Sequence, residues 1–163
     1  MVIASKLKSF LDGKKVVYHV LRHHERFTSQ EIAQSLHVPG RMLAKVVIAK
    51  VPEGLRMAVL PGDLLLDLKA FARVAGVKHA ALATETEFRD AFPDCEVGAM
   101  PPFGNLYGMP VVVDRALAED EEIVFEAGSH HEAIKLWYAD FARLVSPKVG
   151  EIAIRHEVGS MPR

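Results

Sequence analysis

The chain has 163 residues, half of them hydrophobic and a quarter charged, with a formal net charge of -1. That balance describes a soluble globular protein with a sizeable core, read as one domain over 1–163 whose tail loosens from about residue 150. Near-neutrality excludes a long duplex footprint, DNA included, and leaves room for a small contact with one end of an RNA. The single cysteine, Cys95, excludes an internal disulfide framework and fits a reducing compartment. Lys6, Lys8, Lys14 and Lys15 interrupt the apolar residues of the N-terminus, against a signal peptide. No apolar run reaches the ~20 residues of a membrane-spanning helix, so a cytoplasmic protein with no membrane partner is expected.

In chain order, Ile3, Leu7, Phe10 and Leu11 share one helical face, and Gly13 is the expected C-cap. "VVYHVL" reads as a strand. In "FTSQEIAQSL", Thr28 and Glu31 form a capping box, with Phe27 and Ile32 at the staple positions. "RMLAKVVIAK", "PEG" and "LRMAVL" predict a hairpin. Leu65, Leu68, Ala72 and Ala75 then mark a helix ending before Gly76, and "VKHAALA" a short strand. Thr84 and Glu87 repeat the capping box for a brief helix through Phe92. "PVVVDR" and "EIVFEAG" read as strands, while "SHHEAIKLWYADFARLV" satisfies both helical and strand periods. Gly159 and Pro162 mark the loose tail. The pattern is α/β (α+β).

Three stretches invite chemistry. Lys45 lies mid-strand with apolar residues on both faces, Leu43 and Val47 on its own and Ala44 and Val46 on the other. An ammonium there either snorkels to a sheet edge or is aimed at a phosphate or carbonyl oxygen. The segment 93–110, "PDCEVGAMPPFGNLYGMP", is apolar, stiffened by Pro101 and Pro102, and hinged by Gly98 and Gly104. It is either a crossover covering the core or a cavity wall whose N–H groups bind an oxyanion, with Phe103 and Tyr107 offered to a nucleobase. "GSHHE" is either turn chemistry or a turn presenting one of His130 and His131 to a site.

Other chemistries fit less well. His23-His24-Glu25 and His130-His131-Glu132 lack helical H-E-x-x-H spacing or a ligating cysteine pair, so no metal is expected. Cys95 has no evident base and reads as a small hydrophobe. No P-loop, dinucleotide fingerprint or G-x-S-x-G is present.

Taken together, "LAKVVIA", "VGAMPPFGNLYGMPVVVD" and "IVFEAGSHHEAI…DFARLV" resemble the YbaK/aminoacyl-tRNA synthetase-associated domain family over roughly residues 15–150. The family includes the editing insert of bacterial prolyl-tRNA synthetases and free-standing deacylases of mischarged tRNA. The resemblance implies a mixed, partly closed β-sheet or barrel with surrounding helices, with "HHEAIKLW" extended and "ADFARLV" helical. It implies Lys45 as the required lysine and Gly98 through Pro102 as the G-x-x-x-P motif, with Gly104 following. His130, after Gly128, falls on the variable position that shapes the amino-acid pocket.

The reaction so implied is hydrolysis of the ester of a mischarged tRNA, such as Ala or Cys on tRNA-Pro, without a cofactor. Lys45 and Gly98 would be catalytic. Met100, Pro102, Phe103, Gly104, Tyr107, Gly128 and His130 would bind substrate, with Phe103 or Tyr107 stacking on the terminal adenine. The tRNA acceptor end is the expected partner, with an aminoacyl-tRNA synthetase a second one and Arg22, Arg41 or Lys69 near the RNA. Alternatives are a non-catalytic module binding the same 3′ end or a small metabolite, and an unrelated metallohydrolase using the histidine clusters.

Overall fold

Helix α1 (Ser5–Lys14) opens the computed structural model, which describes residues 3–23 and 29–154. It buries Leu7 and Leu11 and runs past Gly13, ending at Lys15 in the left-handed region (φ 58°). The exposed Gly13 is tolerated within the helix, and Lys14 lies in a last turn that favours cations. Strand β1 (Tyr18–Arg22) and helix α2 (Ser29–Leu36) follow. Thr28 and Phe27 of the expected cap lie outside the described residues, as do His24, Glu25 and the tail beyond Ile154.

The hairpin forms as expected from β2 (Ala44–Val51) and β3 (Gly54–Pro61), preceded by a 3-10 turn at Gly40–Met42. The next helix is shorter than its apolar period suggests. Asp67 accepts the Ala70 N–H at 3.1 Å and starts α3 (Leu68–Ala75), which ends at Gly76 (φ 76°). A carboxylate cap defines the start more strongly than one more leucine. Leu65 therefore lies in β4 (Leu65–Leu66), paired with the later β10 (Ala153–Ile154).

Strand β5 (Ala81–Leu82) and α4 (Glu85–Phe88) follow, the latter with the complete Thr84–Glu87 capping box. After the apolar segment come β6 (Val111–Asp114), α5 (Arg115–Ala118), β7 (Glu122–Ser129), β8 (Glu132–Trp137), α6 (Tyr138–Val145) and β9 (Lys148–Gly150). The ambiguous segment thus divides into strand and helix at Trp137. The chain stays in the fold beyond residue 150. Ile152 is fully buried, and its N–H donates to the Asp114 carboxylate at 2.9 Å.

Two sheets carry the architecture. One is mixed, in the order β5-β2-β3-β6-β9, and the other is antiparallel, β1-β8-β7. They meet at a parallel bridge between Leu43 and Val124, which closes the structure partly, short of a barrel. The main core lies between them, with Phe103, Phe125 and Phe141 among its fully buried side chains. A second core lies under α3 around Phe71, and a third joins α2 to Leu43 and Val124. Among the described residues no helix is long and apolar enough to cross a membrane.

Candidate functional site

Lys45 is placed by alternation along β2. Ala44 and Ile48 enter the main core, while Leu43, Lys45 and Val47 face the other way. Lys45 pairs with Leu60 of β3 and is half-buried. Burial lowers the pKa of its ammonium, and the Asp63 carboxylate opposes that shift in part. The side chain lines a cavity of about 120 Å³ at the seam between the sheets, together with Ile32, Leu43, Gly98, Met100 and Glu126. At ~30 Å³ per liquid water, this space holds roughly four waters or a small amino-acid moiety. Larger hollows of about 400 and 480 Å³ lie near Arg56 and Lys148 and beside α3, and neither is lined by Lys45 or Gly98.

The loop that supplies Gly98 and Met100 is tied to a bulge in β7. Register shifts between Glu126 and Ser129, and Gly128 takes φ +102°. The Glu96 N–H donates to Gly128 O, and the Gly128 N–H donates to Ala99 O, both at 2.8 Å. A Cβ at Gly128 would lie 2.7 Å from Ala4 Cβ, so this glycine lets α1 rest against the bulge. Gly98 has φ +88°, and a Cβ there would meet His130 Cε1 at 3.4 Å. Its N–H reaches the Met100 thioether at 3.2 Å, a weak acceptor that a stronger one can replace.

His130 stands behind the cavity wall. Its backbone N–H donates to Glu96 Oε1, and its Nε2–H donates to Val97 O, each at 2.8 Å. The carbonyl can only accept, so Nε2 carries a proton and Nδ1 faces Glu126 Oε1 at 3.5 Å. His130 therefore braces the Gly98 loop instead of lining the cavity.

Of the residues expected from sequence, Lys45, Gly98 and Met100 converge on the cavity. The others do not line it. Phe103 is 0 % exposed, with ring centroids 5.4 Å from Phe141, 5.5 Å from Phe125 and 6.2 Å from Phe10. No face of it is open to an adenine, which corrects its expected stacking role. Pro102 is buried beside it. A Cβ on Gly104 would meet Met109 O and Val111 Cγ2 at 2.7 Å, so that glycine serves close packing. The Tyr107 hydroxyl donates to Asp94 at 2.9 Å, and its ring packs 4.6 Å from Phe92. Burial pushes the Cys95 thiol up to about 12, leaving it an un-ionised neighbour of Tyr107. Among the described residues no three His, Cys, Asp or Glu side chains converge to hold a metal ion.

Glu126 was not expected. On β7 it shares a face with Val124, while Ile123, Phe125 and Ala127 point into the main core. Only 11 % of its side chain is exposed. Burial pushes its carboxyl up to about 8, and the Glu96 carboxylate adds to the shift. The signal was in the sequence: a carboxylate within "IVFEAG" is as anomalous as Lys45 within "LAKVVIA".

Known proteins share this chain's sequence pattern and fold. The model for the aminoacyl-tRNA editing domain matches residues 23–144. A multifunctional Ser/Thr-tRNA deacylase, ProXp-y, of Escherichia coli (strain K12) is 33% identical over 153 residues, covering 91% of each chain. A proline–tRNA ligase of Thiobacillus denitrificans is 28% identical over 71% of this chain, which spans 20% of the ligase. Two solved structures share the fold. A hypothetical protein gives a TM-score of 0.83 at 21% identity, covering 92% of this chain and all of its own. A protein described provisionally as a trans-editing enzyme for prolyl tRNA synthetase gives 0.80 at 19%, covering 93% and 97%.

Proposed function

Because the chain belongs to the aminoacyl-tRNA editing domain family, we propose that it hydrolyses the ester joining a wrongly attached small amino acid to the 3′ end of a tRNA. The observation that carries this reading is the small cavity that joins Lys45 to Gly98. An ester is already activated, so positioning a water and stabilising the developing oxyanion suffice. The Lys45 ammonium holds the terminal phosphate or the ester carbonyl. The Gly98 N–H leaves the Met100 thioether for the carbonyl oxygen, a stronger acceptor. The tRNA's 2′-hydroxyl helps orient the attacking water.

Selection is by volume. A space of about 120 Å³ walled by Ile32, Leu43 and Met100 admits small residues and excludes bulky ones. The deacylase relative's name supports serine and threonine, and alanine and cysteine, including those misattached to tRNA-Pro, fit the same volume. The partner is the tRNA acceptor end, and kinship with proline–tRNA ligases supports a synthetase as a second partner. The test presents Ser-, Thr-, Ala- and Cys-charged tRNAs and follows ester loss. Cleavage of at least one, slowed about a hundredfold or more in Lys45→Ala, is expected. If the protein binds these tRNAs without shortening the ester's half-life it is a binding module, and a Lys45→Ala variant as fast as wild type overturns the mechanism.

A further inference from the structure

An aminoacyl ester is distinguished from other RNA 3′ ends by its α-amine, which is cationic when protonated. The cavity already presents one cation, the Lys45 ammonium. A second one entering so small a space needs an opposite charge nearby. Glu126 is the carboxyl-bearing side chain of the cavity lining. Among the described residues its buried Oε1 receives no hydrogen bond. A buried polar atom left in this way calls for a reason, and a proton passed to the His130 nitrogen that it faces at 3.5 Å supplies one, leaving a carboxylate in the cavity lining to meet a cationic ligand.

We propose that Glu126 binds the substrate's α-ammonium, and that His130 Nδ1 takes the Glu126 proton as the ammonium arrives. This rests on the deacylase reading and assigns the residue that recognises an amino acid as such. The groups around the Glu126 carboxyl are Glu96 on the loop, His130 beyond the bulge and Lys45 across the cavity. Before binding, the carboxyl is protonated at neutral pH, because burial and Glu96 both disfavour its charge.

The proton has a defined destination. Val97 O fixes His130 with a hydrogen on Nε2, which turns the Nδ1 lone pair toward Glu126 Oε1 at 3.5 Å. Closing that gap by about half an ångström makes an ordinary hydrogen bond. When the ammonium docks, the Glu126 O–H bond breaks and an Nδ1–H bond forms. The resulting imidazolium lies between the new Glu126 carboxylate and Val97 O. The ammonium then faces a carboxylate, and no proton is exchanged with solvent. A ligand lacking the positive charge has nothing to drive the transfer.

The experiment takes whichever of Ser-, Thr-, Ala- and Cys-tRNA the wild type cleaves, and its α-hydroxy counterpart. Both are followed with wild type and Glu126→Gln, each rate divided by the uncatalysed rate of its own ester. Wild type is expected to favour the α-amino ester by about tenfold or more in kcat/KM, mostly through KM. In Glu126→Gln, whose amide keeps the shape of the protonated acid, that ratio is expected to fall toward one. A wild-type ratio near one overturns the inference even where the variant does not fold. A Glu126→Gln ratio equal to wild type's overturns it too. Failure of the wild type to cleave any of these esters overturns the deacylase reading itself.

Discussion

The two halves of the segment 93–110 use the same composition for opposite ends. In the first half, Gly98 and Met100 wall a cavity, and the Gly98 N–H reaches a thioether, a weak acceptor. In the second, Phe103 fills space completely among Phe10, Phe125 and Phe141, and Gly104 is pressed against Met109 and Val111. Glycine permits a left-handed backbone at the cavity wall in one half and close packing of the protein on itself in the other. A stiff apolar segment is thus anchored by its filled half so that its open half keeps a fixed shape.

That division can be broken experimentally. The largest effect is expected at Phe103→Ala, which should cost about 3–5 kcal/mol in urea unfolding, as fully buried aromatics do. The molecules that remain folded should keep the wild-type ranking among Ser-, Thr- and Ala-tRNA. A changed ranking with little loss of stability would return Phe103 to the pocket.

A smaller effect belongs to Glu126. Its carboxyl is raised from 4.5 to about 8 in the folded protein, so between those values the folded state holds a proton that the unfolded chain has lost. Stability therefore falls as pH rises through that window, by on the order of a few kcal/mol, and has lost this contribution above pH 8. Unfolding measured from pH 5 to 9 should show a shallower decline in Glu126→Gln than in wild type. Parallel curves would mean that Glu126 is not buried as a neutral acid.

The smallest effect is expected at Gly98→Ala. At φ +88° an alanine costs about 1–2 kcal/mol of backbone strain, while its Cβ makes an ordinary contact with the His130 ring. Its deacylation rate should drop much further than its thermal stability, because the loop that presents the N–H shifts. Equal losses in both would make Gly98 a purely structural glycine.

Much of this was legible beforehand, for identifiable reasons. A lysine flanked by apolar residues on both strand faces has few explanations, and Lys45 does line the cavity. Glu126 carries the same signal in β7, masked by two histidines four and five residues on. Phe103 shows the limit. An apolar residue in a proline-rich loop reads alike whether it borders an empty space or fills one, and only packing with Phe10 and Phe141, distant in sequence, separates the two. The end of α1 at Lys15 and the start of α3 at Leu68 likewise depended on which of several weak local preferences prevailed.

The bulge at Gly128 has a consequence for how the molecule assembles. Ala4 donates its N–H to Ala127 O at 2.8 Å and lies where any side chain on residue 128 would go. The strand that carries Glu126 is therefore braced by the first helix, while Lys45 and Gly98 arrive from segments far from both. Loop closure over such separations is slow and is rewarded only when the partners meet. The cavity takes its shape only when these segments have all met, and no fragment from the middle of the chain carries it.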